Sequence, residues 1–96
     1  MLVLITYDVN TSDAAGRGRL RRIAKECVNY GQRVQNSVFE CLLNAAQYAT
    51  FKAALSALID PAKDSLRFYQ LGNHYQSRVE HIGLHPDFAQ DGILIL

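Results

Sequence analysis

Residues 2–9, LVLITYDV, are apolar and β-favouring and do not alternate with polar positions. That pattern predicts a strand buried on both faces. It ends in a carboxylate, Asp8, and then enters NTSDAAG, a cluster of turn and cap residues. Thr11, Ser12 or Asp13 is placed to cap a following helix, whose first turn Gly16 and Gly18 weaken. From about residue 17 to 30 the period becomes helical, with Leu20, Ile23, Ala24, Cys27 and Val28 on one face. Gly31 follows in the position of a C-terminal cap. Residues 33–43, RVQNSVFECLL, return to β-favouring side chains. Asn36 and Ser37 either divide them into two short strands or bend one strand.

A second helical stripe occupies residues 45–59, with Tyr48, Phe51, Leu55, Leu58 and Ile59 in register, and Asp60–Pro61 ends it. Residues 64–71, DSLRFYQL, alternate as a strand, with Leu66 and Phe68 on one side and Arg67 and Tyr69 on the other. Gly72 and Asn73 break it. The pattern then fades until ILIL, residues 93–96, which reads as a short terminal strand. The order β-α-β-β-α-β predicts an α+β fold of ferredoxin-like type, an antiparallel sheet with both helices on one face. The whole chain reads as one domain, with a core over 1–72 and a tail over 73–96. A four-residue apolar strand at the end of an irregular tail needs a sheet edge to join. The edge of a second subunit supplies one, so the tail predicts a homodimer.

Composition narrows the class. With 96 residues, 49% hydrophobic and 20% charged, the chain is one globular domain, and a net charge of +1 names no partner. Two cysteines, Cys27 and Cys41, make neither a disulfide framework nor a close-spaced zinc pair, and read as reduced, buried thiols. The first apolar run is too short for a signal-peptide core and lacks a basic segment before it. No stretch reaches membrane-spanning length. A cytoplasmic protein without membrane association is therefore expected.

The distribution of charge says more than its sum. Between residues 10 and 35 stand Arg17, Arg19, Arg21, Arg22, Lys25 and Arg33 against Asp13 and Glu26, a local excess of four positive charges. Either this is a solvated helix face, or the RGRLRR run contacts phosphates, which arginine's fork suits. Asp8 also has two readings: a turn or capping carboxylate, or a metal ligand at a strand end. One acid per chain is too few for a two-metal site, but two copies across a two-fold axis suffice for one shared Mg²⁺, which retains several waters. His81 and His85 are four apart, yet Gly83 and Pro86 argue against the helix that would aim both at one ion. Ser37 is either a surface hydroxyl or a hydrogen-bonding group near the site. Phe39 is either core or an aromatic that stacks a base.

YDV after an apolar first strand, the arginine-rich first helix, GQRVQNSVFEC and DSLRFYQLG stand in this order over residues 1–72. Together they resemble the CRISPR-associated protein 2 family, the small endoribonuclease of the CRISPR adaptation module. RVQNSVFE is the most specific stretch. The resemblance implies a ferredoxin-like homodimer in which Asp8 is the metal-binding and catalytic aspartate beside the two-fold axis. There the two copies share Mg²⁺, or Mn²⁺; Tyr7 and Ser37 are candidate supporting residues from the chain's own pattern. It implies that Arg17, Arg19, Arg33 and Phe39 belong to the nucleic-acid-binding set, to which the RGRLRR run adds Arg21. It implies a partner, the CRISPR integrase, and a part in spacer acquisition. Family members are treated either as metal-dependent nucleases on RNA or duplex DNA, or as non-catalytic scaffolds for the integrase.

Overall fold

The computed structural model describes residues 1–83. The core elements are β1 (Leu2–Asp8), α1 (Ala14–Tyr30), β2 (Gln32–Gln35), β3 (Val38–Leu42), α2 (Ala45–Leu58) and β4 (Ser65–Gly72), followed by a 3-10 turn over Gln76–Arg78. The strands form one antiparallel sheet in the order β2-β3-β1-β4, the ferredoxin-like arrangement that the element order predicts. β1 lies between β3 and β4, so the strand richest in apolar residues takes a central position. The expected terminal strand over 93–96 lies outside the described residues.

One face of the sheet builds the core. Val3, Ile5 and Tyr7 of β1 join Phe39 and Cys41 of β3, Ile23 and Cys27 of α1, and Phe51 and Leu55 of α2. The rings of Tyr30 and Phe51 stack 4.4 Å apart, an aromatic contact between the two helices. β1 is not buried on both faces, as its unbroken apolar run predicts. Leu4 and Thr6 point to the other face and are only partly covered. The reason is topological: both crossover helices fall on one side, and the described residues cover the second side only in part, over Leu2 and Glu40. Leu42 and Tyr69 share that open face, each 43% exposed.

α1 begins three residues earlier than its apolar period indicates, because Asp13 caps it by accepting from the Gly16 amide at 2.8 Å. Val28, expected on the buried stripe, is 59% exposed and lies at its margin. Asn36 and Ser37 form a two-residue hairpin turn, so the RVQNSVFECLL stretch makes two strands rather than one bent strand. α2 opens with a capping box in which Asn44 and Gln47 exchange hydrogen bonds.

The loop after β1 is fixed by a buried carboxylate far away in sequence. Asp64, shielded from solvent, receives four donors. Oδ1 accepts from the Asn10 amide (3.1 Å) and Arg19 Nη2 (3.2 Å), and Oδ2 from Arg19 Nε (2.7 Å) and the Asp60 amide (2.9 Å). The Arg19 hydrogen bond, aided by the amides, holds its carboxyl down at about 2. α1 also lies close to this loop: a Cβ on Gly16 would collide with the Asn10 carbonyl oxygen. A Cβ on Gly18 would meet only the ends of the Arg22 and Arg21 side chains, Arg22 Nη1 nearest at 3.3 Å.

Two stability predictions result. Gly16→Ala is expected to destabilise by about 1–3 kcal/mol through backbone collision, while Gly18→Ala, which gains helix propensity, is expected to stabilise by up to about 1 kcal/mol; chemical denaturation separates the two. The Asp64 carboxyl lies lower in the native state than the ordinary 3.8. Its contribution is therefore complete above that pH and is lost as pH falls through about 2. Asp64→Asn is expected to be less stable than the parent at neutral pH and to lose less on acidification across that window, measured by urea midpoints.

Candidate metal and nucleic-acid site

Asp8 is the last residue of β1, is exposed, and lies opposite Ser65 of β4. Its side chain shares the open sheet face with Leu4 and Thr6, as strand alternation requires. Of its two readings, the capping role belongs to Asp13, and the buried structural carboxylate is Asp64. Asp8 itself makes no side-chain hydrogen bond or ion pair among the described residues. A carboxylate that the fold does not use therefore stands at the end of the central strand.

It borders a shallow, open depression of about 330 Å³ lined by Thr6, Tyr7, Asp8, Ser65, Arg67 and Tyr69. Arg67 pairs with Thr6 across the strands, two residue pairs from Asp8–Ser65 and the next pair on the same face, and its Nη1 lies 3.3 Å from the Tyr69 hydroxyl. This places a guanidinium diagonally beside Asp8. Sequence alternation puts Arg67 on the polar side of its strand but does not identify Asp8 as its neighbour. That proximity depends on the β1–β4 register.

The other expected site residues divide into groups. Arg17 is exposed at the start of α1, and its Nη1 donates to the Thr11 carbonyl at 3.3 Å, so it lies against the loop that leaves Asp8. Arg21 is exposed one turn further on. Arg19 differs: its side chain is only 12% exposed and its Nε and Nη2 are bound to Asp64. Its fork is occupied within the chain and not presented to a phosphate, a correction to the expectation from the arginine run. Phe39 is also corrected. It is 1% exposed in the core, with Tyr7 stacked at 6.3 Å and the Arg33 guanidinium 5.1 Å from its ring, so no base reaches it.

Arg33 and Phe39 pair across β2 and β3 on the helix side of the sheet, the face opposite to Asp8. Tyr7 and Ser37 serve the strand end through hydrogen bonds. The Tyr7 amide donates to the Ser37 carbonyl at 3.1 Å, and the Tyr7 hydroxyl to the Asn36 carbonyl at 3.3 Å. Burial pushes the Tyr7 phenol up.

Both cysteines are free and buried, and burial raises each thiol to about 12, which suits core residues rather than nucleophiles. Glu40, on the open face, is also buried, which pushes its carboxyl up, while the nearby His81 pulls the other way. Among the described residues no three His, Cys, Asp or Glu side chains gather into a metal-binding group. No helix among them is long and apolar enough to cross a membrane.

Comparison with known proteins shows the family and the fold. The family model for CRISPR associated protein Cas2 matches residues 1–79. A CRISPR-associated endonuclease Cas2 of Halalkalibacterium halodurans is 58% identical over 95 residues, 99% of each chain. A CRISPR-associated endoribonuclease Cas2 of Chlorobaculum tepidum is 58% identical over 96 residues, 100% of each chain. The crystal structure of Streptococcus pyogenes Cas2 at pH 6.5 superposes with a TM-score of 0.75 at 58% identity, covering 86% of this chain and 100% of that one. The chain belongs to the Cas2 family of CRISPR-associated proteins.

Proposed function

We propose that this chain is a metal-dependent endonuclease of the CRISPR adaptation module, acting as a cytoplasmic homodimer on phosphodiester bonds of RNA or duplex DNA. The observation that carries the reading is the uncommitted Asp8 carboxylate at the end of the central strand, beside Arg67 and at the rim of an open depression. The names of the relatives support nuclease chemistry and divide over the substrate, one being an endonuclease and another an endoribonuclease.

The donor chemistry fits a hard divalent cation. Asp8 is an exposed oxygen ligand, and Mg²⁺ is satisfied by one or two carboxylates with waters completing its shell. Among the described residues one chain offers Asp8 alone at this site, so the second carboxylate comes from Asp8 of a partner subunit across a two-fold axis. The partly covered sheet face around Leu4, Thr6, Leu42 and Tyr69 supplies apolar surface for that subunit. Bound there, Mg²⁺ or Mn²⁺ would supply charge neutralisation at the phosphate and a water of lowered pKa. The chain's own contributions are separate. Asp8 holds the ion, Arg67 offers a cation from the diagonal position on the neighbouring strand to a phosphate oxygen, and Arg17 and Arg21 hold the flanking backbone electrostatically. The same dimer, with its basic α1 surface, is the form that would join the CRISPR integrase in spacer acquisition. A scaffold without turnover is the other reading: among the described residues one chain holds no metal-binding group of three, so the dimer would serve the integrase by binding alone.

Two tests follow. Asp8→Asn keeps the size of the side chain and removes the charge that holds the ion. Loss of an outer-shell partner of a metal ligand costs about 10–100-fold, so loss of the ligand itself is expected to cut cleavage at least as deeply while fold and dimer persist. Cleavage of single-stranded RNA and duplex DNA, with Mg²⁺ and with chelator, measures it. Activity that survives both the substitution and the chelator refutes the Asp8 site, and a wild-type protein that never cleaves but binds duplex is the scaffold. Reversing Arg17 and Arg21 to Glu is expected to weaken duplex DNA binding regardless of sequence. It should also reduce the salt slope of the affinity by about 1 per lost phosphate contact, read by titration at several salt concentrations. Unchanged affinity and slope return α1 to a solvated face.

A further inference from the structure

Asp64 is adjacent in sequence to Ser65, the residue that stands opposite Asp8 in the sheet. The same carboxylate accepts from the amide of Asn10, two residues beyond Asp8 where the chain leaves β1. Both backbone segments that frame Asp8 are thus tied to one buried side chain. Arg19 completes the tie from α1, giving one N–H to each carboxylate oxygen in a bidentate fork at 2.7 and 3.2 Å. Each oxygen also takes one backbone amide, from Asn10 or from Asp60. The loop leaving Asp8 is held from its far side as well. Asn10 Oδ1 accepts from the Ser12 amide at 2.9 Å and hydroxyl at 2.7 Å, and the Asn10 carbonyl lies against Gly16.

Asp8 has no side-chain partner of its own among the described residues. Nothing local therefore orients its carboxylate except the backbone from which it projects. A ligand shared by two subunits must be held at a defined distance from its symmetry mate, and that distance depends on where the end of β1 lies. We infer that Arg19 and Asp64 are positioning residues for the Asp8 metal ligand: the fork fixes the end of β1 and its rung with Ser65, and through them the place of the Asp8 carboxylate. Arg19, which the arginine run groups with phosphate contacts, serves the site through Asp64 instead. This rests on the reading of Asp8 as the metal ligand, and its test separates the two claims.

Asp64→Asn replaces one carboxylate oxygen with an NH₂ that repels either the Arg19 and Asn10 donors or the Arg19 and Asp60 donors. Arg19→Lys keeps the charge and leaves Asp64 ionised but replaces the two-pronged fork with a single ammonium. It is the milder variant should the first fold poorly. In full-length folded protein, amide exchange by NMR is expected to rise about tenfold at Asp8, Asn10 and Ser65 and to stay near wild type at Phe39 and Cys41. Mn²⁺ affinity, followed by the electron paramagnetic resonance of the free ion, is expected to fall up to about tenfold, the low end of what losing a group bonded directly to a ligand costs. Exchange unchanged at Asp8, Asn10 and Ser65, or raised equally at Phe39 and Cys41, overturns the inference, the second result meaning global destabilisation only. Wild-type Mn²⁺ affinity in a folded Asp64→Asn protein with a loosened strand end also overturns it. Asp8→Asn protein that binds Mn²⁺ as tightly as wild type refutes the metal reading of Asp8 instead, and the exchange data still decide whether the fork holds the strand end.

Discussion

A buried carboxylate with four donors organises the end of this molecule where Asp8 stands. Removing Asp64 from water is costly unless its oxygens are satisfied, and here each oxygen takes one guanidinium N–H and one backbone amide. The donors come from the β1–α1 loop, from α1 and from the α2–β4 loop, so the satisfaction of one charge brings three distant segments together. The lowered Asp64 pKa is the titration signature of that arrangement. By contrast, the exposed Lys63–Asp13 pair at 3.9 Å has the geometry of surface pairs that contribute little.

The two faces of the sheet serve different ends. The helix side is a closed core in which Phe39, Phe51, Ile5, Ile23 and Leu55 are fully buried. The other side carries Asp8, Arg67 and Tyr69 together with half-covered Leu4 and Val38. A mixture of apolar surface and unused charge suits a face that meets another molecule. The core side gains from apolar packing, while the open side keeps groups that a closed core would have to neutralise. Strand alternation puts Tyr7 and Asp8 on opposite faces, so one dipeptide contributes to both.

The arginine run also divides by environment. Arg17, Arg19 and Arg21 lie within five residues on α1, yet Arg17 and Arg21 face solvent while Arg19 turns onto Asp64. Composition treats the three alike. The helical period separates their directions by roughly 100° per residue, but which direction meets a buried acid depends on the α2–β4 loop, 45 residues away. The same limit applies to Phe39. An aromatic between a basic β2 and an acidic Glu40 is compatible with stacking on a base, and only the packing of Tyr7 and Arg33 around it makes it core.

The sequence by itself determined the element order, the class of fold, the stripes of α1 and α2, the turn residues Asn36 and Ser37 and the family, because periodicity, caps and turn residues act over a few neighbouring positions. It also picked out Asp8, whose charge interrupts an apolar strand. Tertiary structure decided how the carboxylates divide their roles. Asp13 caps a helix, Asp64 is buried on Arg19, and Asp8 is left without a side-chain partner among the described residues. It decided that, among the described residues, β1 is covered fully on one face and only in part on the other, since both helices cross on the same side. It decided that Arg67 stands diagonally beside Asp8, because strand register, set by pairing between segments distant in sequence, puts them two residue pairs apart on the same face. Local pattern specifies what each segment becomes, while the partners of a side chain depend on which distant backbone is folded against it.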